Sequence, residues 1–170
     1  MVLAHSWARQ RDIELLVLTV DHGLRPESAA EAHQAMASAR ALGLNGRVLD
    51  CVGSAPTSAI QETARSWRHE ALARACNSAG VSRLLLAHTL DDQAETALMR
   101  LQAGGRWQGL AGMGEDDVSP SWPAGRGVRL GRPLLTTRRR DLRAWLASQG
   151  ESWIEDPSND DTRFTRVRLR

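Results

Sequence analysis

Three short apolar runs, each followed by a segment of helical period, constrain this chain more than any other feature. Leu15-Leu16-Val17-Leu18-Thr19-Val20 ends at the polar Asp21-His22-Gly23 and reads as a buried parallel strand. Pro26 and Ser28 introduce an Ala-rich helix over residues 28–43 that stops at Gly43. After the turn Leu44-Asn45-Gly46, a second strand runs over residues 48–52. A loop over residues 53–57 precedes a longer helix whose stripe is Ile60, Ala64, Trp67, Ala71, Leu72 and Ala75. The third strand, Arg83-Leu84-Leu85-Leu86-Ala87, leads through His88-Thr89-Leu90 into a helix beginning near Asp91. Its apolar stripe is Ala94, Ala97, Leu98 and Leu101. A last helix over residues 138–149 presents Leu142, Trp145 and Leu146 and ends at Gly150. Strands alternating with helices imply an α/β fold, a parallel sheet with helices on both faces and right-handed crossovers. Residues 103–127, with many Gly and Pro around Glu115-Asp116-Asp117, read as a long surface loop, and residues 1–8 as the end of a helix.

A length of 170 residues suits one main core, with residues 1–125 as its body and the basic residues 126–170 as a further part of the same domain. All 22 basic residues are arginine, which excludes a GxxxxGK[ST] loop, a Schiff-base lysine and a lysine general base. Cys51 and Cys76 form no CxxC or Cys/His pattern, so a zinc ribbon or a thiol relay is not expected, and both read as reduced buried thiols. There is no apolar stretch of bilayer length and no secretion signal at the start, so the expectation is a cytoplasmic protein without a membrane partner. Residues 126–170 hold 11 Arg against 6 Asp and Glu, which marks this end for a phosphate-rich partner.

The chemistry concentrates where the third strand meets its helix. His88, Asp91, Asp92 and Glu95 sit at the carboxyl end of a parallel strand, where open α/β sheets bind ligands. Hard carboxylate oxygens there suit Mg²⁺ against a triphosphate, or accept a proton from a nucleophile. The spacing equally fits a helix start in which Thr89 caps and the carboxylates offset the positive end of the dipole, and the two readings stay open. Glu62, Arg65 and Arg68 share one face of the long helix, as a phosphate clamp or a solvated salt-bridged face. Arg138, Arg139 and Arg140, with the tail Arg163, Arg166, Arg168 and Arg170, suit a nucleic-acid backbone or plain solvation. Trp107, Trp122 and Trp153 lack a flanking pattern and are assigned mainly to packing.

Several stretches together resemble the tRNA(Ile)-lysidine synthetase family of the PP-loop ATP pyrophosphatase superfamily. They are VDHGLRPES at residues 20–28, LLLAHTLDDQAETALMRL at 84–101, GLAGM at 109–113, RPLL at 132–135 followed by DLRAWL, and WIEDPSNDD at 153–161. The resemblance implies an adenine nucleotide alpha hydrolase-like, Rossmann-like fold and ATP-dependent ligation of free L-lysine to the wobble cytidine of a tRNA(Ile) with a CAU anticodon. The C2 oxygen is adenylated and the amine then displaces AMP, with ATP and Mg²⁺ as cofactors. Carried onto this sequence, Asp92 and Glu95 bind magnesium or assist catalysis, Arg65 contacts the adenylated intermediate, and Asp21, His22 and His88 line the nucleotide pocket. Arg138, Arg139, Arg140, Arg166 and Arg168 are the expected tRNA contacts. Residues 1–9 resemble the segment immediately after the SGGxDS loop, so the resemblance also implies that the first strand and that loop are absent from this chain and that it is inactive alone. Two other readings are another PP-loop tRNA-modifying enzyme and a non-catalytic fragment that binds RNA or pairs with itself as a homodimer.

Overall fold

A computed structural model gives the fold, and it describes residues 1–21, 27–50, 60–102, 104 and 111–153. Its elements are α1 (Val2–Arg9), β1 (Leu16–Asp21), α2 (Glu27–Ala41), β2 (Asn45–Asp50), α3 (Ile60–Ser78), β3 (Arg83–Leu85), α4 (Leu90–Gln102), β4 (Asp116–Val118), β5 (Arg129–Gly131) and α5 (Arg139–Ser148). Two compact units are formed, Met1–Leu84 with Val118–Arg129, and Leu85–Asp117 with Leu130–Arg170. The basic region that begins at residue 126 contributes to both.

In the first unit β1 and β2 pair in parallel, from Leu16 opposite Asn45 to Asp21 opposite Asp50, and α2 and α3 pack on this ribbon. The α2 face turned inward carries Ser28, Ala32, Met36 and Ala39, all buried, at the spacing of one helical stripe. Close approach is possible because β2 offers Gly46, where a Cβ would lie 2.6 Å from the Met36 sulfur. The expected turn through Asn45 and Gly46 is therefore already strand, and β2 begins three residues earlier than its apolar run. Helix ends fall where glycine reads as a stop. Leu44 N donates to Ala39 O at 2.9 Å, Val81 N to Cys76 O at 2.9 Å and Glu151 N to Leu146 O at 3.0 Å. These bonds close over Gly43, Gly80 and Gly150, each at a φ near +70°.

The buried centre of α3 is Leu72, Ala73, Ala75 and Cys76, with Trp67 and Ala71 half-buried at the rim of the expected stripe. At its end Asn77 Nδ2 donates to Ala124 O at 2.7 Å, and Val128 is buried in the same unit. Cys76 is a free thiol, 2% exposed, and its burial pushes the thiol pKa up, as expected of a buried reduced cysteine. Cys51 lies outside the described residues.

A three-stranded sheet has the order β3-β5-β4. Arg129 N donates to Ser82 O and Leu86 N to Gly131 O, both at 2.8 Å, in the alternation of a parallel pair. Ser119 N to Val128 O and Arg132 N to Glu115 O step in opposite directions along the two strands, so β4 runs antiparallel to β5. The loop expected over residues 103–127 thus contains a strand, and a second one comes just after it. Three-residue strands are too short to show alternation in a sequence, and this one is fixed from outside itself. Arg132, 7% exposed, donates from one guanidinium nitrogen to Gly114 O at 2.7 Å and to Asp117 Oδ2 at 2.6 Å.

The second unit overturns the stripe expected on α4. Ala94, Leu98 and Leu101 are exposed, Leu101 at 57%, Ala97 is half-buried, and Asp92 and Glu95 are buried instead. Their hydrogen-bonding partners lie on that side of the helix, which decides its orientation. Helix α5 keeps Leu142, Trp145 and Leu146 half-buried on one face as expected. The assignment of tryptophans to packing fails at Trp122, which is 77% exposed, and at the exposed Trp153, which lies under the Arg143 guanidinium at 5.4 Å. Trp107 lies outside the described residues. No helix among the described residues is long and apolar enough to cross a membrane.

Two outcomes are expected. Arg132→Met should lower the urea unfolding free energy by about 1–3 kcal/mol, because Gly114 O and the half-exposed Asp117 lose their shared cation. In a Cys51→Ser background, native Cys76 should react with iodoacetamide at least about tenfold more slowly than after unfolding in urea, since only the thiolate attacks.

Candidate active site

The site is built at the start of α4, within the second unit. Thr89 is buried, and its N–H and Oγ1 donate to Asp92 Oδ2 at 2.7 and 2.6 Å, while Asp92 N returns a longer bond to Thr89 Oγ1 at 3.4 Å. This is a reciprocal capping box with aspartate at the third helical position. The capping reading of this segment is therefore correct for one Asp92 oxygen. The other, Oδ1, lies 3.3 Å from Arg139, and Glu95 Oε1 lies 3.7 Å from the second guanidinium nitrogen of the same arginine. The two carboxylate side chains are 12% and 6% exposed and the arginine 30%.

Asp91 has a different task. Its Oδ2 accepts from the backbone N–H of Arg139 at 2.7 Å. Arg138, the N-cap of α5, offers no side-chain cap of its own, so a carboxylate on α4 caps the start of α5. Leu90 N donates to Thr137 O at 3.0 Å beside it. Three neighbouring acids of one motif are thereby divided between capping their own helix, capping the next, and facing a shared guanidinium.

Gln93 lies inside the same motif, and nothing in the sequence alone gives it a role. Its Oε1 accepts from Met113 N at 2.7 Å and its Nε2 donates to Met113 O at 2.8 Å. Two turns on, Arg100 donates to Gly112 O at 3.4 Å. A Cβ on Gly112 would lie 2.9 Å from Gln93 Oε1, and the backbone there has φ +71°. Residues 112–113 are thus tied to α4 through their backbone, with Gly112 at a place where a larger residue would press on Gln93.

Of the expected site residues, the structure brings Asp92, Glu95 and Arg139 together, with His88 half-buried between β3 and α4. Arg138 and Arg140 stay exposed, and Arg140 lies 3.3 Å from Asp141. Asp21 and Arg65 belong to the first unit. Asp21, at the carboxyl end of β1, accepts a hydrogen bond from Ser28 Oγ, and the register places Asp50 level with it on β2. Arg65 is exposed on α3. His22, Arg166 and Arg168 lie outside the described residues.

Among the described residues no group of three or more His, Cys, Asp or Glu comes together as a metal cage. Asp92 and Glu95 supply a pair of carboxylates with hard oxygen donors. That donor set fits Mg²⁺, which is commonly held by one or two carboxylates with waters and phosphate oxygens completing its shell, and does not fit a structural zinc.

The sequence profile of the PP-loop domain matches residues 1–170. A tRNA(Ile)-lysidine synthase from Hyphomonas neptunium is 49% identical over all of this chain and 46% of its own length. Those from a Bradyrhizobium species and from Rhodopseudomonas palustris are 47% and 46% identical, again over all of this chain and over 46% and 48% of theirs. The chain therefore spans about half the length of these relatives. Among solved structures, a U34-tRNA thiolase from Methanococcus maripaludis carrying a [4Fe-4S] cluster superposes with a TM-score of 0.77 over 99% of this chain and 59% of its own. At 17% identity that likeness establishes the fold.

Gln93→Ala and Gly112→Ala should each destabilise the protein by about 1–2 kcal/mol in urea, the first by unpairing Met113 N and O, the second by clash and strain. Because both act on one contact, the double variant should lose measurably less than the sum, and strict additivity would show that the clamp is not formed.

Proposed function

We propose that this chain, which belongs to the PP-loop domain family, is the nucleotide-activating part of an enzyme that forms lysidine on tRNA(Ile). The observation that carries this is identity of 46–49% along its whole length to three proteins named tRNA(Ile)-lysidine synthase. A U34-tRNA thiolase shares the fold but only 17% of the sequence, and the Cys76 thiol here is buried. The substrates on this reading are ATP, free L-lysine and a tRNA(Ile) with a CAU anticodon, in a cytoplasmic setting.

The C2 oxygen of the wobble cytidine attacks the α-phosphorus of ATP and pyrophosphate leaves. The lysine amine then adds at C2, the C2–O bond breaks, and AMP departs with that oxygen as the amine gives up a proton. Bound Mg²⁺ supplies charge neutralisation at the phosphates. Asp92 Oδ1 and Glu95, which face the same guanidinium, would hold it, and on this reading one carboxylate of the pair would receive the amine proton. Asp92 Oδ2 is committed to Thr89, which holds that carboxylate in one orientation. His88, Asp21 and His22 are assigned to the nucleotide, Arg65 to the adenylated intermediate, and the exposed Arg138 and Arg140 with Arg166 and Arg168 to tRNA phosphates.

The test is tRNA(Ile)-dependent incorporation of radiolabelled lysine with ATP and Mg²⁺, in this chain and in an extended form that supplies the remaining length of a lysidine synthase relative. Incorporation is expected in the extended form. There Asp92→Asn and Glu95→Gln should each reduce it by about 10²-fold or more, as loss of a group acting on the transition state does. Absence of lysidine in both forms would reject the assignment.

A further inference from the structure

Arg139 sits in a run of three arginines assigned to RNA, but unlike its neighbours its guanidinium points at Asp92 and Glu95. We propose that Arg139 is the resident counter-cation of this carboxylate pair and yields its place when a divalent cation binds. The inference rests on the reading that Asp92 and Glu95 hold the metal.

Four features support exchange rather than a fixed structural pair. Separations of 3.3 and 3.7 Å are longer than the ~2.8 Å of a committed guanidinium–carboxylate fork, and the group spans two acids instead of forking one. The arginine side chain is 30% exposed against 12% and 6% for its partners, so it has a way out to solvent that they lack. Its backbone is held independently, through the Arg139 N–H to Asp91 at 2.7 Å, so the side chain can leave without releasing α5. Asp92 is likewise anchored through Oδ2 by Thr89, so its Oδ1 can change partner without the carboxylate turning. A guanidinium resting on two buried acids also lowers the cost of leaving them without a cation, while its positive charge opposes the incoming one.

The experiment is Mn²⁺ binding without nucleotide, measured by electron paramagnetic resonance, in this chain and in its Glu95→Gln, Arg139→Gln and Arg139→Lys variants. Folding is checked by circular dichroism. Wild type should bind weakly, and Glu95→Gln should abolish binding. Arg139→Gln, which removes the competing charge, should bind about tenfold more tightly. Arg139→Lys keeps a charge that reaches only one carboxylate, so a rise of about threefold is expected and decides the matter if the glutamine variant does not fold. A merely structural arginine predicts weaker binding in both, and unchanged or weaker binding overturns the proposal. If Glu95→Gln leaves Mn²⁺ binding intact, the metal reading falls first and this inference with it.

Discussion

Two carboxylates are buried on α4 on the side where an apolar stripe belongs, and much of the second unit is arranged to satisfy them. A charge taken from water without partners costs far more than one side chain's worth of apolar burial returns. Thr89 donates twice to Asp92, Arg139 approaches both acids, and Asp91 fixes the backbone of Arg139 so that the guanidinium starts from a defined place. Leu98 and Leu101 are left on the outer side as a result. Apolar replacements of similar volume would commonly leave such a buried pair no less stable, so stability is a poor account of why the acids lie inside.

The parts of the fold that are legible from sequence are those with a local cause. Gly43, Gly80 and Gly150 end their helices because a left-handed residue lets the next N–H reach back to a carbonyl, and no distant group is needed. The apolar run of β1 is similarly self-declaring. The illegible parts are decided elsewhere in the chain. Apolar periodicity locates the stripe on α4 but cannot say that a polar face, met by an arginine 44 or more positions away, is the one turned inward. Strands β4 and β5 depend on Arg132 reaching Gly114 and Asp117, a contact between segments that individually look like turns.

The candidate site divides in the same way. Asp92 and Glu95 are legible as a pair because their spacing puts them on one helical face. That one Asp92 oxygen caps the helix while the other faces Arg139 is a matter of geometry finer than spacing can show. Arg139 is legible only as one of three arginines. The start of α5 separates them: Arg138 is its extended N-cap, Arg139 its first helical residue and Arg140 a side chain on the outer surface. Gln93 carries no signal of its own, since a glutamine on a helix is ordinarily solvated, and its partner is backbone rather than a recognisable side chain.

Helix α4 therefore presents three faces with separate duties. Asp92 and Glu95 face Arg139, Gln93 and Arg100 face the backbone of residues 112–113, and Leu98 and Leu101 are exposed. Rotation of the helix would disturb the first two together, because Asp92 and Gln93 are adjacent residues. The Gln93 clamp thus fixes the angle at which the acids are offered as well as the position of residues 112–113. Gly112 enters the same constraint, since any larger residue would press on Gln93 and, through the helix, on Asp92. Two neighbouring motifs of the sequence are in this sense one mechanical part, and the precision with which the acids are aimed depends on a backbone contact that neither acid makes.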